Sequence, residues 1–222
     1  MSRDLIIFGT SDFAQLAQFY FSRFTDYRVI AYTVDADFMP ESKEAFGLPV
    51  VAFEEVQDHF PPDDHDMFVA VTYLKLAQLR RDKFNAAKEK GYSLASYVSE
   101  RATVLNDGAI GENCFIFEDN TIQPFVTIGD NVYLWSGNHI GHHSTIGDHS
   151  CVTSHVVVSG HVAIGERCFL GVNATLRDNV TIGDECVIGA GALILSDAEA
   201  GGVYVPAETE RSRVPSRRLR SL

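Results

Sequence analysis

Between residues 102 and 197 the chain alternates apolar and polar positions with a strict period of six. Cut into blocks from ATVLND (102–107) to ALILSD (192–197), it carries Val, Ile or Leu at the third place of all sixteen blocks, from Val104, Ile110 and Ile116 to Ile182, Ile188 and Ile194. A fixed period held this long marks a solenoid, and a period of six predicts a parallel β-helix. Each block reads as a short flat strand followed by a tight corner. The β-branched third residue points inward and stacks on its equivalents in neighbouring coils. First places are small where they also point in near a crowded corner, as at Ala102, Gly108, Cys114, Ser144, Ser150, Ala174 and Ala192. Corner places carry Gly, Asn and Asp, which tolerate left-handed backbone angles. Three blocks close one triangular coil, so residues 18 apart share a column. The run makes ~5.3 coils, a prism roughly 26 Å tall at ~4.8 Å per strand spacing.

Residues 1–98 lack this period and alternate short apolar runs with helical patterns. Residues 5–8 read as a buried strand ended by Gly9, and residues 12–24 as a helix with Phe13, Leu16, Ala17 and Phe21 as its apolar positions. Further strands are expected at 29–34, ending at Asp35, at 49–51 and at 67–71. A charged helix follows near 75–90, and residues 93–97 close the pattern. Strands alternating with helices predict a small parallel sheet of Rossmann type. The expected organisation is therefore an α/β Rossmann-like domain over 1–98, an all-β parallel β-helix over 99–200, and a C-terminal segment over 201–222. That segment carries Arg211, Arg213, Arg217, Arg218 and Arg220 and is expected to form a mobile or partly docked end.

The net charge of −12 argues against nucleic acid and anionic membranes as partners. No apolar run approaches 18 residues, and Met1-Ser2-Arg3-Asp4 leads straight into the first strand. The expectation is a soluble, cytoplasmic protein. Cys114, Cys168 and Cys186 all hold the first, inward place of a block and fall in one column. They are expected as small apolar fillers, not as a disulfide or metal site.

Two places carry candidate chemistry. The turn Gly9-Thr10-Ser11-Asp12-Phe13-Ala14 joins the first strand to the first helix, where such folds hold phosphate or ribose on free backbone N–H groups. The alternative is a tight turn with Asp12 as helix cap. Asp35 either meets a ribose or base or solvates a loop. The second place is a histidine belt. Six of the eight histidines lie between 139 and 161, and His143, His149, His155 and His161 share the sixth place of successive blocks. His143 and His161 are 18 apart and should stack on one corner, with His142 beside them. Such rings either fill polar space between prisms or act as a general base, since an imidazole ordinarily titrates near ~6.5. One coil along from His142 is Gly160, where a ligand can approach the backbone and an N–H can steady a developing oxyanion.

An α/β N-terminal domain followed by hexapeptide coils resembles the bacterial sugar O-/N-acyltransferases, the sialic-acid O-acetyltransferase and nucleotide-sugar N-acetyltransferase type, across nearly the whole chain. The resemblance implies a left-handed β-helix, a homotrimer, and transfer of acetyl from acetyl-CoA to an amino or hydroxyl group of a nucleotide-activated sugar for surface-glycan biosynthesis, with no metal. It implies that Gly9, Thr10, Ser11, Asp12, Asp35 and the segment around Tyr73 bind the nucleotide sugar. His142 corresponds to the catalytic histidine, with His143 where many members carry an acidic residue, and Gly160 faces the acetyl thioester. CoA would pass Gly160, Gly171 and Gly189-Ala190-Gly191, and residues 203–207 look like the closing segment. Two other readings remain at this point: a zinc-dependent hydratase of carbonic-anhydrase type on a trimeric β-helix, which the histidine belt could supply with ligands, and a non-catalytic scaffold or nucleotide-sensing module.

Overall fold

The computed structural model of the chain describes residues 3–209 together with Arg211 and Arg218. The expectation for the C-terminal tail, with Arg213, Arg217 and Arg220, lies outside the described residues. No helix among the described residues is long and apolar enough to cross a membrane.

The N-terminal elements are β1 (Arg3–Phe8), α1 (Asp12–Phe24), β2 (Tyr27–Val34), β3 (Glu44–Ala45), β4 (Leu48–Ala52), α2 (Val56–His59), β5 (His65–Val69), α3 (Gln78–Glu89) and β6 (Ser93–Leu94). They form one sheet in the order β3-β4-β2-β1-β5-β6, parallel throughout except for the β3–β4 hairpin. The chain crosses sides between β1 and β5, so their C-terminal ends and the turn after β1 share one edge. α1 buries Phe13, Ala14, Ala17 and Phe21, while Leu16, expected as part of the apolar pattern, is exposed. β5 starts and ends about two residues earlier than its apolar run predicts, because Asp66 is drawn in by Tyr27 and Arg3. α3 starts at Gln78 rather than 75 because Lys75, Leu76 and Ala77 adopt φ of 51°, 51° and 56°, which a right-handed helix excludes.

From Tyr97 onward the chain winds into coils whose strands stack into three parallel ladders. The third-place residues are buried from Ile116 to Ile194, as the period predicts. Every non-glycine sixth place from Asp107 to Glu185 has φ between 53° and 65°, and Gly137 and Gly191 have 80° and 75°. Asn, Asp and His visit this region at low cost, which gives His143, His149, His155 and His161 a backbone reason to stand where they do. The period begins one block earlier than its most regular stretch, since Tyr97–Val98 already pairs with Phe115–Ile116. It ends on a coil two residues short, with Val203–Tyr204 pairing Val187–Ile188.

Cys114, Cys168 and Cys186 fall in the predicted inner column, buried and unpaired. Their thiols donate to the carbonyls of Gly129 (3.1 Å), Gly183 (3.2 Å) and Glu199 (3.0 Å). Burial raises the Cys114 and Cys168 thiols to about 12, so they stay protonated and unreactive.

One face of the prism carries the N-terminal domain. Its outward second places are Tyr97, Phe115, Tyr133, Cys151 and Phe169, and they share a core with Phe13, Ala17 and Phe21 of α1. The Phe13 ring lies 4.8 Å from Tyr133 and 5.5 Å from Phe115, and Phe117 stacks on Trp135 at 4.7 Å. The corresponding places of the other two faces are Thr127, Thr145, Ala163 and Thr181, and Thr121, His139, Val157 and Thr175.

A buried polar ladder pins α3 and β5 to one corner of this face. Val69 exchanges two hydrogen bonds with the Asn113 amide (2.7 and 3.2 Å). Asn113 donates to Asn131 (2.8 Å), and Asn131 donates to Nδ1 of His149 (2.9 Å). Arg80 of α3 is fully buried, donates to the carbonyls of His149 (2.5 Å) and Ser150 (3.2 Å), and lays its guanidinium 3.9 Å over the Tyr133 ring. Burial lowers the His149 imidazole from 6.5 to about 4; Arg80, Arg81 and Arg167 act in the same direction and Asp148 opposes them. Its folded-state value lies below the unfolded one, so the unfolded chain takes up the proton first as pH falls. This stability is therefore complete above 6.5 and is lost between 6.5 and about 4, by at most about 3 kcal/mol. Urea titrations at the two ends of that window should show the loss in the native protein and a smaller one in His149→Asn.

Candidate active site

The corner opposite the docking face is built from the fourth to sixth places of successive coils: Gln123-Pro124-Phe125, Gly141-His142-His143, Ser159-Gly160-His161 and Arg177-Asp178-Asn179. It lies between the two uncovered faces. Here His142, His143 and Gly160 come together as the spacing predicts. The His142 imidazole lies across Gly160, where an added Cβ would stand 2.8 Å from Cε1 and 2.9 Å from Nε2. His142 and His143 bring their Nδ1 atoms within 3.1 Å. His161 stacks on His143 with centroids 4.7 Å apart and planes at 14°, and meets His142 edge-on at 5.2 Å. Phe125 lies 4.6 Å from the His143 ring. All three imidazoles are exposed.

The expected oxyanion donor is corrected by the structure. The Gly160 N–H donates to Oδ1 of Asp178 (2.9 Å). A fifth-place carboxylate caps the N–H of the coil below along a neighbouring corner: Asp130 accepts from Glu112, Asp148 from Asp130, and Asp184 from Glu166. Gly160 follows that rule, so its N–H is engaged, and what the glycine provides is space for the His142 ring. The same rule explains Gln123. The coil above His142 offers a glycine and no carboxylate, and Gln123 Oε1 accepts the His142 N–H instead (2.9 Å). Sequence reasoning missed Gln123 and Asp178; for Asp178 the acids that stand one coil after Glu112, Asp130 and Glu166 were a visible signal, whereas nothing in the pattern marked Gln123.

The other belt histidines are accounted for elsewhere. His149 belongs to the buried ladder, and the His155 ring fills the space a Cβ on Gly137 would take, 2.5 Å from Nδ1. The remaining expected site residues lie away from His142. Gly171 and Gly189 stack at a corner flanking the docking face, where a Cβ on Gly171 would meet the Ala190 nitrogen at 2.5 Å; Gly191 opens outward with φ 75°. Gly9 has φ 110° and packs on Ala70, with its N–H given to Thr33 (2.8 Å). Thr10 and Ser11 continue the turn, Ser11 stands at the N-cap without a side-chain cap bond, and Asp12 is the first helical residue rather than the cap. Asp35 ends β2 at the same sheet edge, held by Lys83 of α3 at 2.5 Å. The Tyr73 ring rests 4.9 Å from Phe169 on the docking face.

The profile of the bacterial transferase hexapeptide (six repeats) matches residues 108–141, 126–160 and 161–196. Among curated proteins none matches the chain. Solved structures share its whole architecture. The acetyltransferase domain of PglB from Neisseria gonorrhoeae FA1090 is similar at 22% identity over 90% of this chain and 95% of that one, with a TM-score of 0.79. PerB from Caulobacter crescentus, solved in complex with CoA and GDP-perosamine, is similar at 23% identity over 90% and 92%, with a TM-score of 0.79. WeeI from Acinetobacter baumannii AYE is similar at 18% identity over 92% and 97%, with a TM-score of 0.76. The chain thus has the fold of these three structures, with the parallel ladders and hexapeptide repeat of a left-handed β-helix.

Proposed function

We propose that the protein is an acetyl-CoA-dependent acetyltransferase acting on an amino or hydroxyl group of a nucleotide-linked sugar, in the making of a surface glycan in the cytoplasm. The observation that carries this reading is the exposed His142 ring lying across Gly160, with its Nδ1 directed at His143. If the His142 Nδ1–H donates to His143, the His142 Nε2 carries the free lone pair. His143 then does the orienting work of an acidic neighbour. Nε2 takes the proton of the attacking amine or hydroxyl as its lone pair closes on the thioester carbonyl. The tetrahedral intermediate collapses, the C–S bond breaks, and the thiolate leaves and is reprotonated.

In this reading residues 1–98 hold the nucleotide, in a Rossmann-like arrangement that presents Gly9 to Asp12, Asp35 and Tyr73 at the C-terminal edge of the sheet. Residues 99–200 carry the transfer, with CoA along Gly171 and Gly189 to Gly191. The nucleotide turn and the CoA turns belong to the docking side of the prism, and His142 to the opposite corner. One chain therefore does not close its own site. A homotrimer, with prisms side by side, brings the His142 corner of one copy to the CoA edge and nucleotide domain of the next.

The direct test is thiol release from acetyl-CoA in the presence of UDP-, GDP- and dTDP-linked amino sugars. Release that depends on one of these acceptors is expected; none above acetyl-CoA hydrolysis would refute the reading. Gly160→Ala should lower turnover by roughly 100-fold by displacing the His142 ring. The urea midpoint should stay unchanged, since the three atoms nearest the added methyl group all belong to the exposed His142 side chain. Rates and unfolding measured on the same preparation check both halves.

A further inference from the structure

We propose that His142, His143 and His161 form a binding site for one divalent transition-metal ion, zinc or a neighbour of it in the same row. The three imidazoles each present a ring nitrogen, and these nitrogens all lie within 4.8 Å of one another. The two Nδ1 atoms of His142 and His143 stand 3.1 Å apart. Two ligands on a tetrahedral ion with metal–nitrogen bonds of about 2.0–2.1 Å sit roughly 3.3 Å apart, so this pair is already near a chelating distance. His161, 18 residues on, adds a third donor from the corner of the next coil, which follows the paired strands at His139–Ile140 and Val157–Val158; its ring, stacked on His143, turns to bring a nitrogen to the ion. Neutral imidazole is a ligand set suited to zinc, copper and nickel, and three such donors leave a fourth position for water.

The backbone favours the arrangement. His143 and His161 hold left-handed corners at φ 59° and 57°, which fixes both Cβ directions. Gly160 removes the side chain that would separate the His142 ring from the coil above. The rings are exposed, so an ion reaches them without opening the fold. The net charge of −12 adds a long-range attraction for cations. The inference concerns binding alone and does not need the acetyltransferase reading; an ion on both Nδ1 atoms replaces the His142–His143 hydrogen bond, so the metal-bound corner is a state distinct from the one that accepts a proton.

The experiment is a cobalt(II) titration of the tag-free, chelator-treated full chain, followed by visible absorption, with zinc then added to compete. The expected result is a tetrahedral cobalt band that saturates at one equivalent per chain and is displaced by zinc. His161→Ala and His143→Ala should each weaken binding by roughly 100-fold or more, while His155→Ala, outside the cluster, should bind as the native protein does. Native protein without a saturable band, or a His161→Ala variant that binds like native, would overturn the proposal.

Discussion

His142→Ala is expected to lower turnover by about 10²- to 10⁴-fold, the range that a positioned proton acceptor contributes. The assembly and its melting behaviour should be unchanged. The side chain is exposed, and its removal leaves the Gln123 contact intact, because that bond uses the backbone N–H. The KM values for both substrates should move little, since in the proposed mechanism the ring acts only on the proton of the acceptor. His143→Ala should fall between the native protein and His142→Ala, because it removes the 3.1 Å partner that fixes the ring and leaves the base itself. His143→Asn, which keeps an acceptor on a residue that tolerates the left-handed corner, should recover part of the loss. Steady-state rates for the three variants, with acceptor and acetyl-CoA varied separately, check this. Turnover close to native in His142→Ala would remove the imidazole from the mechanism.

Arg80→Ala is expected to produce the largest loss of stability, about 3–5 kcal/mol. The guanidinium is fully buried, and its Nε and Nη1 have no hydrogen-bond partner among the described residues. Its stabilisation comes from two carbonyls and the Tyr133 face. Truncation leaves the carbonyls of His149 and Ser150 without this donor and opens a cavity where α3 meets the prism. Arg80→Met, which fills the space without a charge to desolvate, should cost about 1–2 kcal/mol, because burying an uncompensated cation is itself expensive. Trp135 is the single tryptophan and packs between Phe117 and Phe13 on the docking face, so its fluorescence in a urea titration reports this junction. An Arg80→Ala midpoint equal to native would show that the buried guanidinium contributes nothing net.

The prism was legible because its rules are local and repeat. A third-place Ile or Val, a small first place and a left-handed sixth place each recur often enough to be read from the chain. The cysteine column and the His143–His161 stack follow from adding 18. The docking face was written in the same register, as aromatic second places at Phe115, Tyr133 and Phe169. Seeing it requires sorting the blocks by face rather than by place. The same sorting would have paired Asp178 with the Gly160 N–H. Arg80 was not legible, because a charged helix normally turns such a residue to water and only the packing of α3 against the corner buries it. The left-handed run at Lys75, Leu76 and Ala77 carries no turn-forming residue, so nothing in the sequence announces where α3 begins.

The central claim is that one chain supplies the imidazole and a neighbouring copy supplies the nucleotide turn. It is tested by co-expressing His142→Ala chains with chains carrying Asp12→Ala and Asp35→Ala, each expected to be nearly inactive alone and assayed alone first. If the halves of the site come from different copies, random mixing leaves both halves intact in about one site in four, and roughly a quarter of native turnover returns. Mixed assemblies as inactive as their parents would contradict the account, since each chain would then be using its own histidine.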